Sequence, residues 1–306
     1  LSSSSAASDV YKRQTLLLPR QGENITANFF VVNASSFDDS ADVDTVTFQY
    51  RPNATSDWVN VCAAGVGPFY SCMWNLTVLA DGHSYEFRAY ANDTFGNAGP
   101  ADSHTGIILD RKGPLVFLES PADRYNTSDA YVVFYYNTTD ITSLSASCTL
   151  LINGAANKTN ASVLEGQSLS FNVSFGDGTY LWSVNCTDQH GNHNVSGVRT
   201  VTVDTIGPVA SLDRPRNYAN ITGQSYLVNA TFSDSGVGTI HTATFEYRKG
   251  SGGWIFICRD SSTGPNYGCN WSLTGLDDGN DYQVRVIAND TLGLSLIHIS
   301  EPTRPY

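Results

Sequence analysis

The stretch DGHSYEFRAYANDTFG, residues 81–96, decides the fold class. After its Asp-Gly turn, apolar side chains occupy every second position, at Tyr85, Phe87, Ala89 and Ala91. A period of two indicates a β-strand with one buried face. Two later stretches repeat the pattern and predict related β-rich units: DGTYLWSVNCTD (177–188) and DGNDYQVRVIAND (278–290).

The outer two units are near copies of each other. FQYR (48–51) returns as FEYR (245–248), and FYSCMWNLT (69–77) returns as NYGCNWSLT (266–274). A related middle unit is bounded twice by the same punctuation, an aspartate followed by Gly-Pro. The predicted units, whose lengths suit single β-sandwiches, are residues 15–111, 112–205 and 206–293.

The approach to two of these strands resembles a known family. LADGHSY (79–85) and LDDGNDY (276–282) resemble the tyrosine corner of immunoglobulin and fibronectin type III domains. The run that follows, Tyr-x-[Phe/Val]-Arg-[Ala/Val]-x-Ala-x-Asp-x-x-Gly, resembles their F strand and F–G turn. The resemblance covers all three units and extends to the repeated arrays of bacterial and archaeal surface proteins. It implies an all-β chain of three tandem Ig/FnIII-like β-sandwich domains, the third truncated before its last strand.

Composition excludes several functional classes. The net charge of −12, without a basic face, argues against nucleic-acid binding. No segment approaches the roughly 18 apolar residues of a membrane span, and the first residues have no apolar signal core. No G-x-S-x-G, H-E-x-x-H or P-loop motif is present, so the sequence predicts no enzyme.

Six cysteines fall two to a unit. Six cysteines allow 15 pairings, but the repeats select one pair in each unit. No pair has metal-ligand spacing, so we expect disulfides, which persist in an oxidising, extracellular compartment. The predicted pairs are Cys62–Cys72, Cys148–Cys186 and Cys258–Cys269.

The triplet Asn-x-Ser/Thr occurs 16 times. Since an acceptor amide must reach solvent, sequons in the outward phase of predicted strands are the best candidates for N-glycosylation. The alternative is that Asn and Thr simply suit a solvated face. The candidates are Asn33, Asn75, Asn92, Asn172, Asn185, Asn229, Asn270 and Asn289.

Two groups of residues are candidates for metal binding. An acidic cluster with Asp38 and Asp39, and the junction residues Asp110 and Asp204, are weak calcium candidates, because the EF-hand order is missing and Asp before a turn usually bonds backbone. His190 and His193 could hold a metal, but the aligned turn of the first unit has neither histidine, which favours an Asp-x-x-Gly-Asn bend. We therefore expect no cofactor.

The two ends are related at the DNA level. GATGTGTATAAGAGACAG encodes residues 9–14, and its reverse complement encodes residues 294–299. This DNA resembles the transposase end sequence used in sequencing libraries. We therefore expect residues 1–14 and 294–306 to be translated adapter, and exclude them from fold reasoning. Both ends would then be unnatural truncations.

The sequence thus predicts a fragment of a secreted or cell-surface protein, a non-catalytic, glycosylated, disulfide-stapled spacer. Cell-surface or matrix proteins and glycans are the expected partners, with no nucleic acid and no membrane segment in this fragment. The alternative is an accessory region of a large extracellular hydrolase or protease. Direct sugar binding would use Trp58 and Trp254, although packing in the sheet is the simpler interpretation.

Overall fold

The computed structural model describes residues 13–37, 43–65, 69–262, 264–279, 281–299 and 304–305. Every regular element in these ranges is a β-strand, which confirms the all-β prediction. No helix in the described ranges is long and apolar enough to cross a membrane. The strands form three successive sandwiches.

The first sandwich packs a three-stranded sheet, ordered β1-β3-β6, on a five-stranded sheet, ordered β2-β8-β7-β4-β5. The strand bounds are β1 Arg13–Leu18, β2 Asn24–Ile25, β3 Phe29–Phe37, β4 Val43–Arg51, β5 Val59–Gly65, β6 Phe69–Asn75, β7 Ser84–Asp93 and β8 Asp102–Leu109.

The second sandwich pairs the sheet β14-β11-β9 with the sheet β10-β17-β15-β12-β13, and a short strand, β16, pairs with β15. The strand bounds are β9 Leu115–Ser120, β10 Tyr125–Thr127, β11 Tyr131–Thr139, β12 Ser145–Ile152, β13 Ala155–Asn160, β14 Leu169–Ser174, β15 Gly178–Asp188, β16 His193–Val195 and β17 Arg199–Val203.

The third sandwich repeats the first, with sheets β18-β20-β23 and β22-β21-β24-β25 and a small pair, β19-β26. The strand bounds are β18 Val209–Arg214, β19 Asn220–Ile221, β20 Ser225–Ser233, β21 Ile240–Lys249, β22 Ile255–Asp260, β23 Asn266–Ser272, β24 Tyr282–Asp290, β25 Ser295–Ile299 and β26 Arg304–Pro305.

Each sandwich has its own hydrophobic core, built by the period-two alternation of its strands. The fully buried side chains lie between residues 16 and 109, 132 and 203, and 210 and 288. Along β7, Tyr85, Phe87, Ala89 and Ala91 are all buried, as the sequence predicts. At about 25 cal/mol per Å² of buried apolar surface, such alternating faces are the main stabilising contribution.

The tyrosine corners are present in both outer sandwiches. The Tyr85 hydroxyl donates to the Ala80 carbonyl at 3.0 Å and accepts from the Ala80 N–H at 3.1 Å. Tyr282 donates to the Asp277 carbonyl at 3.0 Å. These bonds tie the approach segment to the start of β7 and to the start of β24, which confirms the two predicted tyrosine corners.

The place of the last strand in the third sandwich is taken by residues of the segment that the sequence assigns to translated adapter, as its alternation allows. Residues 295–299 form β25 and pair with β24 in an antiparallel register from Arg285↔Ile299 to Asn289↔Ser295. All five of its residues are exposed, whereas the equivalent β8 buries Ile107 and Leu109 completely. Backbone hydrogen bonds do not depend on side-chain identity, so an alternating segment fills the place without completing the core.

Candidate functional site: the junctions between sandwiches

The first junction is organised around Asp110, which follows β8. Its N–H donates to the Ile25 carbonyl of the first sandwich at 3.0 Å. Its carboxylate is bound by the second sandwich: Thr142 Oγ1 donates to Oδ1 at 2.7 Å, and His190 Nδ1 lies 2.8 Å from Oδ2. Asn192 Nδ2 adds a bond to Oδ1 at 3.2 Å. The residue is only 1% exposed, so one aspartate belongs to both sandwiches.

His190 bridges the two sandwiches in a single tautomer. Its Nε2 lies 2.7 Å from Nδ2 of Asn24 in β2. Because an amide nitrogen only donates, Nε2 accepts and Nδ1 carries the proton that is donated to Asp110. In this tautomer one imidazole makes both contacts, and Nδ1, which bears the proton, does not bind a metal.

Arg111 fixes the linker to the first sandwich. Its Nε donates to Asp81 Oδ1 at 2.7 Å, and its two terminal nitrogens donate to the carbonyls of Leu76 and Leu79 at 2.6 and 2.7 Å. A planar guanidinium suits such a set of diverging acceptors. The linker is thus bound on both sides.

The second junction repeats the arrangement with fewer donors. Asp204, 0% exposed, donates its N–H to the Thr127 carbonyl of the second sandwich at 3.0 Å. Its Oδ2 accepts the Gly238 N–H of the third sandwich at 2.7 Å. A Cβ at Gly236 would lie 2.1 Å from Asp204 Oδ1, so this loop must have glycine there to approach the carboxylate.

The glycine of the Gly-Pro pair at the first junction is also explained by a close approach between chain segments. A Cβ on Gly113 would lie 2.5 Å from the backbone of His193, at the start of β16. Only glycine allows the linker to pass so close to the next sandwich. The glycine of the first Gly-Pro is therefore required by a close contact between sandwiches, whereas a Cβ on Gly207, in the second Gly-Pro, would make only an ordinary contact, 3.7 Å from Leu294 Cβ.

The metal candidates divide in the structure. Ligand atoms of Asp110, Asp188 and His190 lie within 4.8 Å of one another, but His193 is not among them, and each of these atoms already has a protein partner. Thr142 and Asn192 donate hydrogen bonds to the Asp110 carboxylate, so its oxygens have partners without a bound cation. Calcium at Asp110 or Asp204 stays a prediction, and Asp38 and Asp39 lie outside the described residues.

The two tryptophans lie in a cluster we call the arginine–tryptophan stack. In the first sandwich, the guanidinium carbons of Arg51 and Arg88 lie 4.5 and 4.1 Å from the Trp58 ring centre. In the third, Arg248 and Arg285 lie 4.6 and 4.3 Å from the Trp254 ring. In each sandwich both arginines therefore make cation–π contacts with the tryptophan ring.

An exchange of Glu and Gln accompanies the stack. In the first sandwich, Arg51 Nε donates to Glu86 and Arg88 Nε to Gln49, both at 2.8 Å. In the third, the acid is on the other strand: Arg285 Nε donates to Glu246 at 2.6 Å and Arg248 Nε to Gln283 at 2.7 Å. Each copy keeps one acid for two arginines.

The structure pairs the cysteines one bridge to a sandwich. Cys62–Cys72 and Cys258–Cys269 join β5 to β6 and β22 to β23, so they connect the two sheets of the outer sandwiches. Cys148–Cys186 joins directly opposed residues of β12 and β15. The outer bridges hold the sheet edges together, whereas the middle one lies in the core.

The candidate sequons differ in exposure. None of the eight is buried, but only Asn75, Asn172 and Asn270 are fully exposed. These three lie on β6, β14 and β23, which are edge strands of the three-stranded sheets. The half-buried candidates are Asn33, Asn92, Asn185, Asn229 and Asn289. Use of any sequon remains a prediction.

Sequence reasoning singled out Asp110, Asp204 and His190 at the junctions and both tryptophans of the stack, but it missed most of the residues that bind them. Thr142 has no signal in the sequence, because its partner Asp110 lies across the junction. Arg111 has no signal either, although its partners Asp81, Leu76 and Leu79 belong to its own sandwich. The stack had a signal: Arg51 and Arg88 recur at the same positions in the third unit. The compensated exchange of Glu and Gln between the copies points to the same pairs.

No protein-family model and no curated protein matches the chain. Among solved structures, it is similar to a tetra-tandem repeat in the extending region of a large adhesion protein, at 19% identity over 95% of this chain and 73% of that chain, with a TM-score of 0.38. It is similar to a 1.5-MDa bacterial ice-binding adhesin, at 13% identity over 95% and 98% of the two chains, with a TM-score of 0.36.

The chain is also similar to the fibronectin(III)-like modules of CbhA from Clostridium thermocellum. The identity is 16% over 62% of this chain and 94% of that chain, with a TM-score of 0.31. At this level the similarities concern the fold alone, and no functional conclusion follows from them.

Proposed function

We propose that this chain is part of a secreted or cell-surface protein in which tandem sandwiches form a non-catalytic, structural or adhesive spacer. One observation supports this above others: Asp110 and Asp204 each bond their own sandwich through the backbone and the next one through the carboxylate. Separating the sandwiches would break these hydrogen bonds, and a hydrogen bond to a charged group contributes about 1.5–3 kcal/mol net. Each junction therefore resists bending.

An extracellular location accounts for the disulfides. Each bridge stabilises its sandwich by about 2–4 kcal/mol in the entropic account of cross-linking, and cytosolic reductants would remove that contribution. Exposed Asn75, Asn172 and Asn270 would place one glycan on the same edge strand of each sandwich. A glycan there would block pairing of that edge with another chain.

The alternative is an accessory, sugar-binding region of a large extracellular hydrolase or protease. Stacking on a sugar requires an open aromatic face. Two guanidinium groups lie within 4.6 Å of each ring centre, and both tryptophans are half-buried, so a structural role for both rings is favoured. Sequencing the gene region around these repeats distinguishes the two functions. A neighbouring catalytic domain would favour the accessory region, and further repeats that end in an anchor would favour the spacer.

Peptide mapping without reduction tests the compartment, on protein recovered from the medium and envelope of cells that express the uninterrupted gene. We expect three intra-sandwich bridges and no free thiol, and cleavage by protease added to intact cells. Free thiols, or protection of the protein until the cells are lysed, would contradict an extracellular spacer.

A further inference from the structure

Each F strand leads into the same five-residue turn: DTFGN (93–97), DQHGN (188–192) and DTLGL (290–294). In all three, Oδ1 of the first aspartate accepts the N–H groups two and four residues later, at 2.7–2.9 Å. The fourth residue is a glycine with φ between 84° and 94°, a conformation that favours glycine. The backbone is therefore the same in each copy.

The second carboxylate oxygen distinguishes the copies. Asn97 Nδ2 donates to Asp93 Oδ2, and Asn192 Nδ2 donates to Asp188 Oδ2, both at 2.8 Å. In the third turn the fifth residue is Leu294, which has no donor. Oδ2 of Asp290 is buried there without a hydrogen-bond partner, and the residue is 4% exposed.

In the second sandwich the fifth-position amide also crosses the junction. Asn192 Nδ2 lies 3.0 Å from the carbonyl oxygen of Asp110 and 3.2 Å from its Oδ1. One side chain thus closes its own turn and binds the end of the preceding sandwich. At the second junction Leu294 lies beside the linker, since a Cβ on Gly207 would lie 3.7 Å from Leu294 Cβ.

We propose that the F–G turn is a docking site for the terminal aspartate of the sandwich before it, with asparagine at the fifth position as the docking residue. Leu294 interrupts this site in the third sandwich, because it replaces the asparagine that the other two turns have at this position. The proposal specifies the junction contact on which the proposed spacer function rests. It depends on hydrogen bonding alone and not on the DNA comparison of the chain ends.

The test is Leu294→Asn in the full chain, followed by hydrogen-exchange mass spectrometry of the third F–G turn. Because asparagine would satisfy the buried carboxylate oxygen, we expect exchange of this turn to slow by about tenfold or more. Leu294→Ala removes the leucine without adding a donor, and Leu294→Asp matches asparagine in shape but adds a second acid. Neither should slow exchange.

A reciprocal variant, Asn192→Leu, transfers the defect to the second sandwich. We expect faster exchange in residues 188–192 and in the linker around Asp110, while the third sandwich is unchanged. Equal exchange in Leu294→Asn and Leu294→Ala, or no effect of Asn192→Leu at the linker, would overturn the docking site. Neither result would alter the disulfide map, so failure of the docking site and failure of the extracellular spacer are distinguishable.

Discussion

The exchange of Glu and Gln between the two stacks predicts a strong coupling between Gln49 and Glu86. Glu86→Gln removes the acid that pairs with Arg51, where the two side chains are 19% and 22% exposed respectively. A hydrogen bond to a charged group contributes about 1.5–3 kcal/mol, and partial exposure screens it. We expect a loss of about 1–2 kcal/mol from the free energy of unfolding of the first sandwich.

The double variant Gln49→Glu/Glu86→Gln gives the acid and the amide the positions that they have in the third sandwich, where Glu246 pairs with Arg285 and Gln283 with Arg248. It also loses the bond that Gln49 Nε2 donates to Asn60 Oδ1 at 2.6 Å. We therefore expect the double variant to be more stable, by at least about 0.5 kcal/mol, than the sum of the two single changes implies. Denaturant-dependent hydrogen exchange resolves each sandwich, so the second and third serve as internal controls.

The reasoning fails if the double variant is destabilised by the sum of the two single changes. Additive effects would mean that the two positions do not interact and that the exchange between copies is accidental.

Three further predictions follow from single side chains. Tyr85→Phe removes both hydrogen bonds between the hydroxyl and Ala80, so it should lower the unfolding free energy of the first sandwich, measured by hydrogen exchange, by about 1–3 kcal/mol. Tyr180→Phe, which loses one exposed hydrogen bond, should lower the stability of the second sandwich by less. Equal losses in the two variants would contradict this prediction. Because protein donors satisfy the junction carboxylates, calorimetry in calcium and in chelator should give the same unfolding midpoint, and a rise in calcium would contradict this and support the calcium candidates. Burial alone would raise the pKa of Asp260, but hydrogen bonds from Gly268 and Ser262 lower this pKa overall. The stabilisation from Asp260 is therefore present above its pKa in the unfolded chain and is lost as the pH falls through its pKa in the folded protein. Asp260→Asn should thus flatten the acid side of the curve of stability against pH, and an unchanged acid side would refute this prediction.

The sequence predicts the local part of this structure well, because alternation and turn residues act over a few positions. Every second residue from Tyr85 to Ala91 faces the core, as the spacing requires, and the tyrosine corner forms within five residues. The junction contacts were not predictable, since Asp110 and His190 are 80 positions apart. Their meeting depends on how two folded units pack together.

The last strand shows the reverse limit. Residues 295–299 alternate well enough to pair with β24, and pairing needs only backbone. Burial needs the right side chains in the right phase, which this segment lacks. A pattern can therefore predict that a strand forms without predicting that it belongs to the core.

The most direct test of the spacer account is NMR relaxation of the full chain, which reports whether neighbouring sandwiches tumble together. The contacts of Asp110 with both sandwiches predict one common rotational correlation time for the first and second sandwiches, and Asp110→Ala should separate them into independently tumbling units. Independent tumbling in the unmodified chain would contradict a stiff spacer.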